Sequence, residues 1–414
     1  MKSLSLPALR ALVFVLFATV LAACGTRSGL LDPPAPDVAD AATCQGPALL
    51  CVAPDADPCG PPRRVASACD GASLTWQCPA GTRPLVRAPA ESGVCRPFYD
   101  PGGPVRALGG SLVRVPTEDG RCLWIAEEVT LASGQGLRNV GFEVDPAAPF
   151  GSCPRQVAFA DGVARTMVAV EGDDRALSVQ ITGGYRQGGV TRVTYRLFRN
   201  DPSAGFGVRL LGSGLGRWDP GSRRVIVPGA GALRFATEID LGDASLVLGD
   251  TAYLWGCPGP PTFLTERCVV GRLGSDDRLA LWTAGGWRDS TRGGDAATVF
   301  EAGPWVSSVV RQPGTTRLVH VFAVGFGSDL QSRTAPEPQG PWTGAVSRAR
   351  CDLPGDDRNA FCAGPVVHLE LADPTRPSEL AVTYGLGTTA SDGGARVAAN
   401  PGAYWPRLQW VQVP

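Results

Sequence analysis

The chain has 414 residues, of which 53 are Gly, 37 are Pro, 13 are Cys and 2 are His, and it contains one lysine, Lys2. With 44% hydrophobic and 19% charged residues, the composition is that of a globular protein rather than a disordered one. The single lysine at position 2 excludes a Walker A lysine, a kinase lysine and a lysine Schiff base from the mature chain. The formal charge of −1 provides no field that attracts nucleic acid, so none is expected as a partner.

Residues 1–23 have the features of a lipoprotein signal peptide. Lys2 and Arg10 flank an apolar run, Ala11–Ala23, that is too short to span a bilayer permanently. The run ends in Leu-Ala-Ala followed by Cys24, which resembles the bacterial lipobox. This resemblance implies acylation of Cys24 and attachment to the cell envelope, at the outer membrane facing the periplasm or the cell surface. A plain secretory leader that happens to contain a Cys is the alternative.

Residues 24–43 are rich in Pro, Ala and Asp and show no periodicity, so we expect a disordered tether. Residues 44–100 contain six Cys and few large apolar side chains. This segment therefore predicts a small disulfide-rich module, with a boundary in the turn residues that precede residue 105.

Without Cys24, an even number of 12 Cys is left in an oxidising compartment. We expect six structural disulfides rather than metal or thiol chemistry, because none of these Cys follows C-x-x-C spacing. Six Cys lie within 44–95, and their pairing is left open because 15 connectivities exist. The other six are near neighbours along the chain and are expected to form three local bridges: Cys122 with Cys153, Cys257 with Cys268, and Cys351 with Cys362.

From residue 105 to residue 414, short apolar runs alternate with turn residues, and helical periodicity is absent. The runs of strand length that are rich in β-branched or aromatic residues are 111–115, 122–129, 176–181, 193–198, 245–249, 251–256, 317–326, 365–371 and 379–386. About 310 residues of such strands are too many for one sandwich. A β-propeller, in which four-stranded blades surround a channel, accommodates them.

Four motifs follow one another in the second half of the chain. They are Ala252–Gly256 (AYLWG), Arg333–Ala335 with Gly340–Trp342 (RTA and GPW), His368–Leu371 with Glu379–Tyr384 (HLEL and ELAVTY), and Tyr404–Arg407 (YWPR). Their order, together with Gly212–Asp219 (GSGLGRWD), resembles bacterial DUF4185-type proteins, which are related to the five-bladed propeller of the furanosidase superfamily of glycoside hydrolases. The resemblance implies an all-β fold with a five-bladed β-propeller over residues 105–414, preceded by the small disulfide-rich module.

Glycoside hydrolysis generally uses two carboxyl groups, one ionised and one protonated, on either side of the scissile bond. With one acid chosen per blade, the candidates are Glu128 as base or nucleophile, Glu301 as acid and Asp240 as a modulator of their pKa values. Glu301 lies near aromatic residues, which favour the raised pKa of a proton donor. An ordinary carboxylate at a turn or a strand edge is the alternative for each of them. The Pro of the related HPEL motif is Leu369 here, and the first-blade acid is Glu128 instead of a shorter Asp.

Candidate ligand-binding residues are His368, Arg333 and Trp305. His368 lies in an apolar strand, where it is either a hydrogen-bonded core residue or, as the resemblance implies, a residue of the channel. Arg333 is expected to hold a carboxylate, either of the protein or of a substrate. Trp305 is one of several Trp residues that could stack on sugars or simply pack in the core; the others are Trp255, Trp282, Trp287 and Trp342. His320 alternates with Leu318 and Phe322, which predicts packing in the core.

The sequence thus predicts a membrane-anchored lipoprotein whose propeller binds a glycan or cell-envelope polysaccharide through a site that has lost catalysis. An active glycoside hydrolase with paired carboxylates at the propeller channel is the second hypothesis. The sequence identifies no cofactor and leaves a central metal open.

Overall fold

The computed structural model describes most of the chain from Leu49 onward. The described residues are 49–53, 57–70, 75–86, 93–145, 152–171, 177–203, 208–229, 235, 237, 239–258, 266–290, 292–302 and 306–414. The predicted leader, Cys24 and the tether lie outside them. Leu49–Ser67 and Cys78–Pro414 belong to one unit, and Ala68–Gln77 belongs to a second. The second unit contributes a two-stranded hairpin of β3 (Ala68–Asp70) and β4 (Thr75–Gln77).

The first strands of the larger unit form a small antiparallel sheet. Its strands are β1 (Leu50–Ala53), β2 (Arg63–Ala66) and β5 (Arg83–Pro84), with β1 in the centre. The next strand, β6 (Val94–Cys95), leaves this region and pairs with the last strand of the chain, opposite Leu408 and Gln409. A strand that precedes the remaining sheets along the chain is thus hydrogen-bonded to the last strand.

Five further sheets follow one another along the chain, and we number them sheets 1 to 5. Sheet 1 contains β7 (Val105–Pro116), β8 (Cys122–Leu131) and β9 (Gly136–Glu143). Sheet 2 contains β10 (Val168–Val170), β11 (Leu177–Gln187), β12 (Val190–Asn200), β13 (Val208–Asp219) and β14 (Arg224–Val227), in the spatial order β10-β14-β13-β12-β11. Apart from the parallel pairing of β10 with β14, the strand pairs of these sheets are antiparallel.

Sheet 3 contains β15 (Ala244–Leu248), β16 (Thr251–Gly256), β17 (Glu266–Leu273), β18 (Leu279–Thr283) and β19 (Gly286–Asp289), and β20 (Phe300–Ala302) pairs with β17. Sheet 4 contains β21 (Ser308–Arg311), β22 (Leu318–Ala323), β23 (Asp329–Ala335) and β24 (Val346–Arg350). Sheet 5 contains β25 (Ala360–Val367), β26 (Glu379–Thr388) and β27 (Arg407–Gln412), and β6 completes it.

One α-helix, α1 (Gly393–Ala399), occurs in the described part of the chain, with 3-10 turns at Gly293–Asp295 and Leu369–Leu371. The predicted all-β class is confirmed, and all nine predicted strand segments overlap strands. The segment 365–371 ends early: β25 stops at Val367 because the chain turns at His368 into the 3-10 helix.

The sheets meet through their innermost strands. β7 lies beside β11, β11 beside β15, β15 beside β21, β21 beside β25, and β25 beside β7, so these five strands form a ring. The hydrogen-bond ladders between strands remain within each sheet, and the described strands form no closed sheet. Sheets that are consecutive along the chain are therefore adjacent in the ring, and sheet 5 lies beside sheet 1.

Much of the hydrophobic core lies between adjacent sheets. Ile125 of sheet 1 packs with Val193 of sheet 2, and Trp255 of sheet 3 packs with Phe322 of sheet 4. Trp124, Trp255 and Trp405 are almost completely buried. Truncation of one such ring to Ala costs about 3–5 kcal/mol in a well-packed core.

The disulfides correct part of the predicted pairing. Cys257–Cys268 and Cys351–Cys362 are bonded, as expected from their proximity. The expected Cys122–Cys153 bridge is wrong: Cys122 is bonded to Cys59, and Cys153 is bonded to Cys95. Cys51–Cys78 is the bridge that stays within the early Cys-rich segment among the described Cys pairs.

Hydrogen bonds across the fold explain this exchange of partners. Nη1 of Arg114 donates to the carbonyl oxygen of Cys59 over 2.7 Å and so holds that Cys against sheet 1. The backbone N–H of Phe98 donates to the carbonyl of Pro154 over 2.6 Å, which places residues 95–98 beside Cys153. Neither hydrogen bond can be predicted from the spacing of the Cys residues. The predicted domain boundaries themselves stay predictions, but two covalent bonds cross the one near residue 100.

Candidate functional site

A narrow cavity lies where the five innermost strands meet. All five sheets contribute to its lining, which consists of Val113, Arg114, Thr182, Gly183, Gly184, Ala244, Ser245, Ser307, Ser308, Val309 and Val366. Its volume is about 20 Å³, which is enough for about one water molecule and far too small for a sugar ring. Asp and Glu are absent from this lining. A saccharide could therefore bind at the end of the ring, but not within it.

Glu128, the predicted base or nucleophile, is on the surface of sheet 1. Its side chain is 61% exposed and forms an ion pair with Nη2 of Arg138 over 3.4 Å. Such an exposed ion pair contributes little to stability, and the carboxylate remains accessible to solvent. The neighbouring Glu127, which is not among the predicted site residues, has a very different environment.

Glu127 is half-buried between sheets 1 and 2. Its Oε2 accepts a hydrogen bond from Nε2 of Gln180 over 3.0 Å. Gly110, with φ of 76°, lies against it: a Cβ on Gly110 would be 2.8 Å from that of Glu127. Burial raises the pKa of Glu127, the nearby charge of Glu128 raises it further, and the hydrogen bond from Gln180 acts in the opposite direction. Strand alternation was the signal that could have found it, because Glu127 shares a face with the core residue Ile125.

Asp240 belongs to a buried ion cluster. Its Oδ2 is 2.7 Å from Nη2 of Arg196, and Oδ1 of Asp243 is 2.8 Å from the same nitrogen. The other oxygen of Asp243 accepts the backbone N–H of Cys257. One guanidinium therefore pairs with two buried carboxylates, and the side chain of Asp240 is 3% exposed. Within the described residues, Asp240 forms no hydrogen bond or ion pair with Glu128 or Glu301.

Glu301 and Arg333 meet through the backbone of β20. The side chain of Glu301 is exposed, and its carbonyl oxygen accepts a hydrogen bond from Nη2 of Arg333 over 2.6 Å. The guanidinium carbon of Arg333 lies 5.0 Å from the ring centre of Phe300 and 4.4 Å from that of Phe322. Burial lowers the pKa of Arg333 to about 10, against the opposing charge of Glu301. Arg333 thus connects β20 to sheet 4. Trp305, which was predicted to bind a ligand, lies outside the described residues.

His320 is part of the core, as its alternation with Leu318 and Phe322 predicts. Its ring stacks on Phe300 and Phe322 at 4.5 and 4.7 Å, and its Nε2 is 3.0 Å from Oγ of Ser307. Burial holds the pKa of His320 well below its usual value, and the charge of Arg333 acts in the same direction. His320 is therefore neutral at pH 7.

His368 has the partners of a catalytic histidine but no access to solvent. Its Nδ1 is 2.9 Å from Oε1 of Glu370 and its Nε2 is 2.7 Å from Oγ1 of Thr383. This carboxylate–imidazole–hydroxyl chain resembles the triad of hydrolases in its connections. Thr383 and His368 are both 0% exposed, so a substrate cannot reach the hydroxyl. The core interpretation of His368 is the one that its geometry supports.

Burial and neighbouring charges shift the pKa values of both Glu370 and His368. Burial acts to raise the pKa of Glu370, but His368 and Arg114 together bring it below its usual value. Burial lowers the pKa of His368 despite Glu370. The indole N–H of Trp124 donates to Oε1 of Glu370 over 2.7 Å, so the cluster links sheet 1 to sheet 5.

In the part of the chain that the structure describes, three or more His, Cys, Asp or Glu side chains do not come together as metal ligands would. The same residues contain no helix that is long and apolar enough to cross a membrane.

Comparisons with known proteins add a resemblance of fold. No protein-family model matches the chain, and no curated protein matches it. A solved structure from Bacteroides ovatus, described as a "putative hydrolase", has a TM-score of 0.53 at 16% identity, over 74% of this chain and 87% of that one. At this identity the likeness concerns the fold alone.

Two glycoside-processing enzymes superpose less well. The exo-β-1,3-galactanase of Phanerochaete chrysosporium with β-1,3-galactotriose has a TM-score of 0.45 at 9% identity, over 78% of this chain and 64% of that one. The GH43_1 enzyme of Xanthomonas citri with xylotriose has a TM-score of 0.44 at 13% identity, over 78% and 91%. With TM-scores below 0.5, these two similarities carry no conclusion about the present chain.

Proposed function

We propose that this chain is a lipid-anchored protein of the bacterial cell envelope whose sheets 1 to 5 are the blades of a five-bladed β-propeller, and that the propeller binds carbohydrate without hydrolysing it. The ring formed by β7, β11, β15, β21 and β25 supports the blade count. The motif order from residue 105 onward supports the link to carbohydrate.

The observation that carries the binding function is the separation of the candidate acids. Hydrolysis needs two carboxyls that face one glycosidic bond, one of them protonated. Asp240 is instead paired with Arg196 in the core. Glu128 is exposed and paired with Arg138, and Glu301 is exposed on another sheet. Binding a glycan requires no such pair.

The proposed binding surface is the end of the ring where sheets 1 and 2 meet. Gln180 precedes the cavity residue Thr182 by two positions on β11, so it lies about 7 Å outward along the strand. Gln180 donates to Glu127, and Arg138 contacts both Glu128 and Oγ of Ser178. These amide, carboxylate, guanidinium and hydroxyl groups supply the directional hydrogen bonds that sugar hydroxyls need.

A glycoside hydrolase is the second candidate, and Glu127 is the observation that favours it. A carboxyl whose pKa is raised by burial can act as a proton donor at neutral pH. In this alternative Glu127 replaces Glu301 as the acid.

The membrane anchor rests on the sequence of residues 1–24. Acylation of Cys24 predicts that the wild-type protein incorporates labelled palmitate and fractionates with membranes. A Cys24→Ala variant is expected to incorporate none.

The test of function uses the mature protein purified in a detergent without sugar groups. Binding to a panel of envelope and plant oligosaccharides is measured by calorimetry, and released reducing ends are measured in parallel. The panel includes β-1,3-galactotriose and xylotriose, the ligands of two similar structures. We expect binding without turnover and a loss of about tenfold in affinity for Gln180→Ala, because one hydrogen bond to the sugar is removed.

Glu337→Gln is the matched control for Glu127→Gln, because Glu337 is exposed and lies on sheet 4's β23–β24 connection. Turnover that disappears in Glu127→Gln and persists in Glu337→Gln would establish the hydrolase and reject the binding-only function. The absence of binding to every glycan of the panel would contradict both.

A further inference from the structure

Sheet 3 has a group of aromatic residues and one Arg on the face that packs toward sheet 4. We define the Trp287 cluster as Tyr253, Arg272, Trp282 and Trp287. Tyr253 lies opposite Arg272 in the pairing of β16 with β17, and Trp282 lies opposite Trp287 in that of β18 with β19. All four side chains are half-buried. These side chains therefore pack partly against the core and leave part of their surface exposed to solvent.

The rings of the Trp287 cluster contact one another edge to face. The ring centres of Trp287 and Trp282 are 5.4 Å apart, and those of Trp287 and Tyr253 are 5.8 Å apart. The guanidinium carbon of Arg272 lies 4.8 Å from the ring centre of Trp287. This cation–π contact fixes the position of the charge beside the aromatic surface.

The polar atoms of the cluster have no hydrogen-bond or ion-pair partner among the described residues. The indole N–H groups of Trp282 and Trp287, the hydroxyl of Tyr253 and the guanidinium of Arg272 form no hydrogen bond or ion pair there, and none of these atoms is buried away from solvent. Indole and guanidinium groups only donate. Asp289 lies on the same face of sheet 3, two strands away from Arg272. In the described part of the chain, Asp289 forms no ion pair with Arg272. The surface is thus rich in donors and has one uncompensated positive charge.

These properties specify the chemistry of a ligand. Aromatic rings accept the apolar C–H face of a sugar, while free indole N–H groups and a guanidinium require acceptors. A carboxylate is the acceptor that matches a planar guanidinium in charge and geometry. We propose that the Trp287 cluster is a binding site for carboxylate-bearing saccharides, in which the aromatic residues contact the sugar ring and Arg272 binds the uronate group.

This site is separate from the one proposed between sheets 1 and 2. The two share no residue, and the Trp287 cluster consists of β16 to β19 alone. Anionic polysaccharide binding on sheet 3 can therefore exist whether or not the end of the ring binds glycans.

The test measures binding of the mature protein in detergent to a galacturonate oligosaccharide and to a neutral galactose oligosaccharide of equal length. We expect the uronate to bind, to quench Trp fluorescence and to lose affinity in 0.5 M NaCl. Arg272→Gln should weaken uronate binding by about tenfold or more, because a charge-assisted hydrogen bond is lost. Trp287→Phe should weaken it as well, because the indole N–H donor is removed although an aromatic ring remains.

Arg278→Gln is the matched control, because Arg278 lies in the connection that follows β17, with a 79% exposed side chain and no aromatic contact among the described residues. It should leave uronate affinity unchanged. Both cluster variants conserve most of the side-chain volume, and thermal melts check their folding.

Three results would overturn the proposal. One is equal affinity for the neutral and the acidic oligosaccharide. Another is uronate binding that neither Arg272→Gln nor Trp287→Phe weakens. The third is a wild-type protein that binds single-stranded nucleic acid through the cluster and binds no uronate.

Discussion

The two histidines of the chain, His320 and His368, are residues whose environment decides their chemistry. Both are completely buried, and burial lowers the pKa of each. Between pH 6.5 and the lower folded-state value, the unfolded chain binds protons that the folded chain does not. The folded state is therefore fully stabilised above pH 6.5, and this stability is lost as the pH falls below that value.

We expect the free energy of unfolding to fall by up to about 1.4 kcal/mol per pH unit for each histidine as the pH decreases from 6.5. His320→Gln removes one of the two titrating groups and keeps a donor for Ser307, so the slope should be about halved. Denaturant unfolding at pH 7.0, 6.5, 6.0 and 5.5 measures it. An unchanged slope in the variant would show that His320 titrates in the folded protein as it does in the unfolded chain.

Single residues also show where sequence patterns mislead. Alternation with Leu318 and Phe322 predicted that His320 packs in the core, because alternation records the two faces of a strand directly. The prediction of Glu128 as the first-blade acid rests on the motif of the family that the sequence resembles. The structure buries Glu127 and exposes Glu128, since the face of β8 that carries Ile125 is covered by sheet 2.

At the scale of elements, disulfides connect strands that are far apart along the chain. Cys95–Cys153 closes a loop of 58 residues and attaches β6 to the segment after β9, whereas Cys257–Cys268 closes a loop of 11 residues. A cross-link removes more entropy from the unfolded chain when its loop is longer.

We therefore expect Cys95→Ala/Cys153→Ala to lower the free energy of unfolding by about 4 kcal/mol and Cys257→Ala/Cys268→Ala by about 3 kcal/mol. Thermal and denaturant unfolding of the two double variants measure the difference. The reverse order of stability would mean that the local bridge holds a strained turn and that loop entropy is not the dominant effect.

The prediction of elements was good where strands are defined locally. Runs such as 251–256 became β16 over the same residues, because turn residues on both sides end the strand. Strand β6 has only two residues, and its partner β27 lies at the other end of the chain. A local pattern cannot reveal such a strand, since its stability comes from pairing over more than 300 residues.

At the scale of the whole molecule, strand β6, which precedes all five sheets along the chain, completes the last of them. A domain that begins at residue 100 would leave the edge of β27 without β6, and Cys122 and Cys153 without their partners. An open strand edge and two free thiols both promote aggregation.

We expect a chain of residues 100–414 to be less stable and more prone to aggregate than a chain of residues 44–414, with a melting temperature lower by at least about 5 °C. Size-exclusion chromatography and thermal melts compare the two. Equal melting temperatures and equal monomer yields would show that the early Cys-rich segment contributes nothing to the fold of the five sheets.

The sequence alone determined the strand-rich class, most strand positions, the even number of Cys after Cys24 and two of the local disulfides, because each of these depends on neighbours along the chain. Tertiary structure decided the partners of Cys122 and Cys153, the burial of Glu127, the ion pair of Asp240 with Arg196, and the enclosure of His368 with Thr383. Each of these depends on which sheets pack side by side in the ring. That packing is set by contacts between residues tens to hundreds of positions apart, and local patterns carry no record of such distances.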